Sequence, residues 1–170
     1  KWLKSEGYDI VLFTAKVKPD RPLVKGKTGK ELIWEWLDKH NIKHIIHLGD
    51  YFDRRRDVNF YSLHKNHEHF LKPMIERDIT MDLIVGNHDI YFKSTNELNS
   101  PEFLLKHDNI NVYTDVTTKD YDGLNIVLLP WINDENQEDV EEYLSTVNAP
   151  IVMSHLEVNG GMMMPGHYHG

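Results

Sequence analysis

Gly86-Asn87-His88-Asp89 closes the apolar run Leu83-Ile84-Val85 and sets an amide beside an imidazole where a buried strand should open into a loop. Asn is poor in strands and ordinary in turns, so it is the neighbouring His that gives the position chemical interest. Gly49-Asp50-Tyr51-Phe52-Asp53 follows the run from Lys43 to Leu48 in the same way, His155 follows Ser154, and Gly166-His167-Tyr168-His169 stands at the C-terminus. Carboxylate, amide and imidazole donors delivered by separate strand ends make a hard-oxygen and borderline-nitrogen set suited to Mn²⁺, Fe²⁺ or Zn²⁺. A single carboxylate such as Asp50 can bridge two ions roughly 3.5–4 Å apart, which clamp the attacking and leaving oxygens of an in-line displacement. The chemistry this implies is metal-dependent hydrolysis of phosphate esters.

Such a site needs elements that bring the donors to one edge. Asp9 to Thr14 is a short apolar run after Gly7 and predicts a buried strand; Lys16 to Gly29, with Pro19, Pro22, Gly26 and Gly29, predicts a loop. A helix is expected from Thr28 or Gly29 to about Asn41, with Leu32, Ile33, Trp36 and Leu37 on one stripe. Lys43 to Leu48 reads as the next strand. Asn59 caps a helix in which Phe60, Leu63, Phe70, Leu71 and Met74 recur at helical spacing, and Pro73 should kink or shorten it. Strands follow at Met81 to Val85 and Asn109 to Tyr113, and a hairpin around Asp122-Gly123 leads into Ile126 to Leu129. Glu135 to Ser145 is a helix and Pro150 to Ser154 a last strand. Apolar strands alternating with helices imply an α/β fold, a layered β-sheet core flanked by helices, in which function gathers at the C-terminal strand ends.

The 170 residues fit one domain with a sizeable core, and no run of eighteen apolar residues is present to span a membrane. Lys1 to Lys16 lacks the apolar segment and cleavage site of a signal peptide. The absence of Cys removes thiolate sites and fits a reducing cytoplasm, so any metal relies on the eleven His and the surplus carboxylates. A net charge of −8 argues against a broad basic footprint for duplex nucleic acid, although bound divalent cations would add positive charge locally. A chain that opens on Lys and stops just after a ligand-like motif reads as cut at both ends.

Taken together, GD-x-x-D (Gly49 to Asp53), GNHD (Gly86 to Asp89), the strand-end His155 and GHxH (Gly166 to His169) resemble the signature of calcineurin-like metallophosphoesterases. Between these motifs, VGNHDIYFKSTNE (Val85 to Glu97), LLPWINDEN (Leu128 to Asn136) and SHLEVNG (Ser154 to Gly160) are similar to bacteriophage recombination endonucleases of the SbcD type. The likeness covers about residues 44 to 170. It implies that Asp50 bridges two divalent ions, with Mn²⁺ first and Mg²⁺, Fe²⁺ or Zn²⁺ as others the site would take. Asn87, His155 and His167 would complete one ion and His169 would ligate the other. His88 would stand beside the scissile phosphate and protonate or orient the leaving group, with Asp89 fixing its ring; an imidazole, ordinarily near pKa 6.5, can donate a proton at neutral pH. Asp53 is expected to steady the loop. The resemblance further implies DNA as substrate, an SbcC-like ATPase subunit as partner, a homodimer as an assembly, no membrane, and a cytoplasmic setting in the host cell.

Two departures accompany it. The family opens with a strand ending in Asp-x-His, and this chain is read as lacking it, which leaves Asp50 and His169 to hold the second ion weakly. Only eleven residues separate His155 from His167, short for a crossover of about a dozen or more residues plus a strand, so an internal deletion is expected there. Residues 1–43 have another flavour: GYDIVLFTAK (Gly7 to Lys16) and the helix after it resemble the second motif of haloacid-dehalogenase-type phosphatases, with Thr14 as the phosphate contact. The expectation is a foreign segment joined to a core at 44–170.

Taken singly, Asp50, Asn87, His88 and His155 are turn-forming polar residues at strand ends, and only as an ordered set do they imply a metal. For His167 and His169 the plainer reading is a frayed tail, and metal ligation is the expected one. His64, His67 and His69 lie on a solvated helix face, since the first two face one way and the third another. Arg54-Arg55-Arg56 directly follows the Asp50 loop, and Arg54 and Arg55 are placed to grip substrate phosphates; the plainer reading is an exposed loop. Trp34, Trp36 and Trp131 are packing residues. Two other functions stay open: a phosphatase for small molecules or phosphoproteins, which the acidic charge favours, and a catalytically impaired binding or structural fragment.

Overall fold

Thr28 has an extended backbone, its hydroxyl accepts from the Glu31 N–H, and the Glu31 carboxylate accepts from the Thr28 N–H at 2.7 Å. This reciprocal capping box starts helix α1, Gly29–Lys39, on whose inner side Trp34 and Leu37 are buried. The helix ends two residues before the expected Asn41, which takes a left-handed φ of 49° that Asn tolerates. The computed structural model describes Val24 and residues 26–157 in full, together with the backbone of 162–164 and 167–168. The strand expected at Asp9 to Thr14, the Thr14 contact and most of the following loop lie outside these residues. The sequence does hold an Asp-x-His, contrary to the reading above: Asp38-Lys39-His40, which ends helix α1 rather than a strand and so is not the family's strand-end motif.

The chain divides into two compact units, Lys1–Asn41 and Ile42–Gly170. The second holds three sheets. Strands β1 (His44–His47), β2 (Thr80–Ile84) and β3 (Ile110–Tyr113) lie parallel in the order β1-β2-β3. Strands β4 (Thr117–Tyr121), β5 (Leu124–Leu129) and β6 (Ile151–Ser154) form a mixed sheet, β4 antiparallel and β6 parallel to β5. Asp122 and Gly123, with φ of 53° and 89°, make the tight β4–β5 turn that the Asp-Gly pair predicts. A third sheet pairs β7 (Met162–Met164) with β8 (His167–Tyr168). The methionine run thus forms a strand within the short segment between His155 and His167.

Met81, Leu83, Ile84 and Val85, and Ile126 to Leu129 on β5, are buried almost completely. Such consecutive buried positions, apolar in β2 except for Asp82, mark strands covered on both faces. Val127 and Leu129 pack with Val140 of the helix Gln137–Thr146. The expected helix after Asn59 is a continuous helical run in three parts: Phe60–Asn66, a wide π turn His67–Leu71, and Lys72–Glu76. Pro73 accounts for the middle part. Its nitrogen has no hydrogen to donate and its ring crowds the carbonyl four residues back, and the wider turn, with Lys72 N–H donating to the His67 carbonyl, lets the helix pass it without stopping.

One buried carboxylate bridges the two larger sheets. Asp82, at the middle of β2 and 1% exposed, accepts from Asn111 Nδ2 at 2.8 Å and from Tyr121 Oη of β4 at 2.6 Å, and His44 Nε2 lies 3.3 Å away. Burial alone would raise its pKa, but the bonds from His44, Tyr121 and Asn111 outweigh burial and hold it well below the usual carboxylate range.

Candidate metal centre

Two glycines let the strand exits meet. Gly49, just past β1, has φ of 80°, and a Cβ on it would stand 2.9 Å from both the Gly86 Cα and the His155 Nδ1. A Cβ on Gly86, just past β2, would collide with the Asp50 backbone and carboxylate. The β1 and β2 exits are therefore closer together than any residue with a side chain would allow. Asp50 follows with φ of 52°, tolerated by its short polar side chain. The β5 exit joins the same edge, because Trp131 N–H donates to the Val85 carbonyl at 2.8 Å and His155 N–H to the Leu129 carbonyl at 3.3 Å.

Asp50, Asn87 and His155 meet at this edge. His155 Nε2 lies 3.0 Å from Asn87 Oδ1 and 3.4 Å from Asp50 Oδ2. Asp50 Oδ1 accepts the His88 backbone N–H at 2.9 Å. His155 Nδ1 is 2.7 Å from the Leu48 carbonyl; a carbonyl only accepts, so Nδ1 carries a proton and Nε2 is the ring nitrogen turned to Asn87 and Asp50. A ring nitrogen, an amide oxygen and a carboxylate thus converge, a donor set that a shared divalent cation fits. A backbone carbonyl that takes the other ring proton is the usual support for a ligating His nitrogen. The residues present thus fit a divalent cation, although among the described residues no three His, Asp or Glu side chains close on one point, the third donor being the Asn87 amide.

His47, the last residue of β1, stands behind this group. Its Nδ1 is buried with no hydrogen-bond partner among the described residues, and its ring lies 5.1 Å from that of Tyr51. Burial pushes its pKa down to about 4; the Asp50 charge opposes this and the His155 charge adds to it.

The His88 side chain is exposed, and its Nδ1 donates to the Asp53 carbonyl at 2.7 Å. Nε2 is thus the ring nitrogen left to exchange a proton with a substrate. Here the expectation for Asp89 is corrected. Asp89 does not hold the His88 ring; it is turned inward and buried, accepting from Gly86 N–H at 2.9 Å and Phe52 N–H at 3.2 Å. Burial raises its pKa against these bonds, and the adjacent Asp50 charge raises it further. Asp89 clamps the two loops to each other, and the Asp53 backbone orients the imidazole.

Arg55, expected to grip a substrate phosphate, makes a contact within the site. Its Nε and Nη2 donate to the Asn87 carbonyl at 3.0 and 2.8 Å, which fixes the backbone of a candidate ligand. Arg54 is exposed and lies 3.4 Å from Asp57. Neither the Leu48 carbonyl under His155 nor the Arg55 clamp, 32 residues from its acceptor, leaves a local signal in the sequence. Trp131 sets its ring edge on that of His155 with centroids 6.2 Å apart, so it packs against the site itself. His64 and His67 are exposed, as a solvated helix face requires. The side chain of His167 and all of His169 fall outside the described residues.

A family model described as calcineurin-like phosphoesterase matches residues 27–168. The chain is also 34% identical over 147 residues to exonuclease subunit 1 of Enterobacteria phage T4, a match covering 85% of this chain and 43% of the phage protein. It therefore spans less than half the length of that relative.

Proposed function

This chain belongs to the calcineurin-like phosphoesterase family, and from that premise we propose that it is a nuclease subunit hydrolysing phosphodiester bonds of DNA with divalent cations, Mn²⁺ foremost. The observation that carries the reading is His155 Nε2 directed at Asn87 Oδ1 and the Asp50 carboxylate, with Nδ1 held by the Leu48 carbonyl. Asp50, Asn87 and His155, joined by His167, would hold one ion, and Asp50 with His169 would hold a second more weakly. The chemistry that ions would supply there is polarisation of the phosphate and a lowered pKa for the attacking water. The protein's own part is positional. Gly49 and Gly86 admit the approach of the loops, Leu48 fixes the His155 tautomer, and Arg55 holds the Asn87 backbone. His88, steadied by Asp53, presents Nε2 to protonate the departing 3′ oxygen. The relative's name, an exonuclease subunit, supports a nucleic-acid substrate and a second subunit; an SbcC-like ATPase partner and a place in recombination and repair are part of the proposal.

A phosphatase acting on small monoesters is the second reading, favoured by the net charge of −8. Mn²⁺-dependent cleavage of single-stranded DNA measured beside that of p-nitrophenyl phosphate separates the two. The nuclease reading expects oligonucleotide turnover to exceed monoester turnover by at least tenfold. Preference for the monoester would replace it with the phosphatase, and no turnover of either would leave a binding fragment.

A further inference from the structure

Three residues after His88, the loop turns outward and exposes two aromatic rings. Tyr91 is 43% and Phe92 53% exposed, and their centroids lie 4.8 Å apart at 82°. The Arg56 guanidinium sits over the Tyr91 ring, 6.0 Å from its centroid. We propose that Tyr91, Phe92 and Arg56 form a stacking platform for an unpaired nucleobase of single-stranded DNA, next to the phosphate held at the metal centre.

The loop is built to hold these rings still. Tyr91 N–H donates to the Leu98 carbonyl at 2.9 Å, Ile90 bridges Asn99, and Ser100 N–H donates to the Asp89 carbonyl at 2.8 Å. Below it, buried Asn96 donates to the carbonyls of Thr114 and Trp131 and accepts from Asn133. Two large rings on a loop tied this firmly are left in water although their neighbours Asp89 and Ile90 are buried. Among the described residues about half of the surface of each stays open to solvent.

Charge and reach identify the occupant. In a chain of net charge −8, the cationic Arg56 lies over the Tyr91 ring, and a cationic group among exposed aromatics is how proteins hold single strands without reading their sequence. Tyr91 is at most about 10 Å of chain from His88, so one strand can place a phosphate at the centre and a base on the rings. A duplex end would have to unpair that base first, which makes an unpaired strand the favoured substrate.

This inference deepens the nuclease reading and rests on it, so its test reads binding without turnover. Fluorescence anisotropy in chelator compares a thymidine oligomer with a fully abasic oligomer of equal length. The full chain should bind the thymidine oligomer about tenfold more tightly, as expected for removing base–aromatic stacking. In Y91A/F92A that ratio should fall toward one, and Y91W/F92W should restore it. The single variants Y91A and F92A, each losing part of the ratio, answer if the double variant does not fold. Equal wild-type affinities, or a ratio unchanged in the alanine variants, would overturn the platform. A chain that shows the ratio yet cleaves no diester would contradict the nuclease and leave the platform standing.

Discussion

The two nitrogens of His155 have opposite tasks, and the centre depends on their staying distinct. Nδ1 spends its hydrogen on the Leu48 carbonyl, so that Nε2 is available to a cation. Asp50, Asn87 and His155 were legible in the sequence because donor types at strand exits are a local pattern. The partner of Asp89 was not, since its carboxylate turns inward only through the conformation of the Gly86 loop. Arg55 gives the sharpest contrast between the two levels. If it clamps the Asn87 carbonyl, Arg55→Ala should weaken Mn²⁺ binding by about tenfold. If it grips substrate as sequence alone implies, the same change would raise KM and leave metal affinity alone. His88→Ala should lower kcat on an oligonucleotide by about 10²–10³ with Mn²⁺ affinity within twofold; an unchanged kcat would remove the proton-donor role.

At the scale of elements, the apolar runs located β1, β2, β3, β5 and β6 within a residue or two, and the Asp-Gly pair located the β4–β5 turn. What periodicity could not give was the partition of these strands into separate sheets, because pairing across sheets is a long-range property. The π turn was hidden too, since its cause is a proline whose effect depends on how the helix is held. The short helix Ser100–Leu104 was missed although Asn99 caps it, because five residues are too few to show a period. The meeting of the β1 and β2 exits gives the element-scale prediction. Gly86→Ala should cost about 1–3 kcal/mol in urea unfolding through overpacking and should abolish saturable Mn²⁺ binding, since the new methyl group strikes Asp50. Unaltered metal binding would mean that the two loops need not approach so closely.

For the whole molecule, acid stability is the informative property. The folded chain holds His47 neutral, with its pKa lowered to about 4 by burial, whereas the unfolded chain protonates it near 6.5. Between these values the unfolded state binds more protons, so stability rises with pH through this window and is lost as pH falls from about 6.5 toward 4. In chelator, His47→Leu should remove about 2 kcal/mol of the wild-type loss between pH 7 and pH 5, read as the difference between the two urea curves. Parallel curves would mean that His47 is not buried as a neutral group. The family was legible at this scale because four ordered motifs survive in a chain that spans 43% of its relative. The first 23 residues and the role of His169 were not, since they fall outside the described structure.

Isothermal titration of the full chain with Mn²⁺, beside His155→Ala, goes most directly to the cation that Asp50, Asn87 and His155 are held to share. Saturable binding in the wild type, weakened at least tenfold in the variant, is the expected result. No binding to the wild type, or equal affinity in both, would contradict the metal centre and the hydrolase built on it.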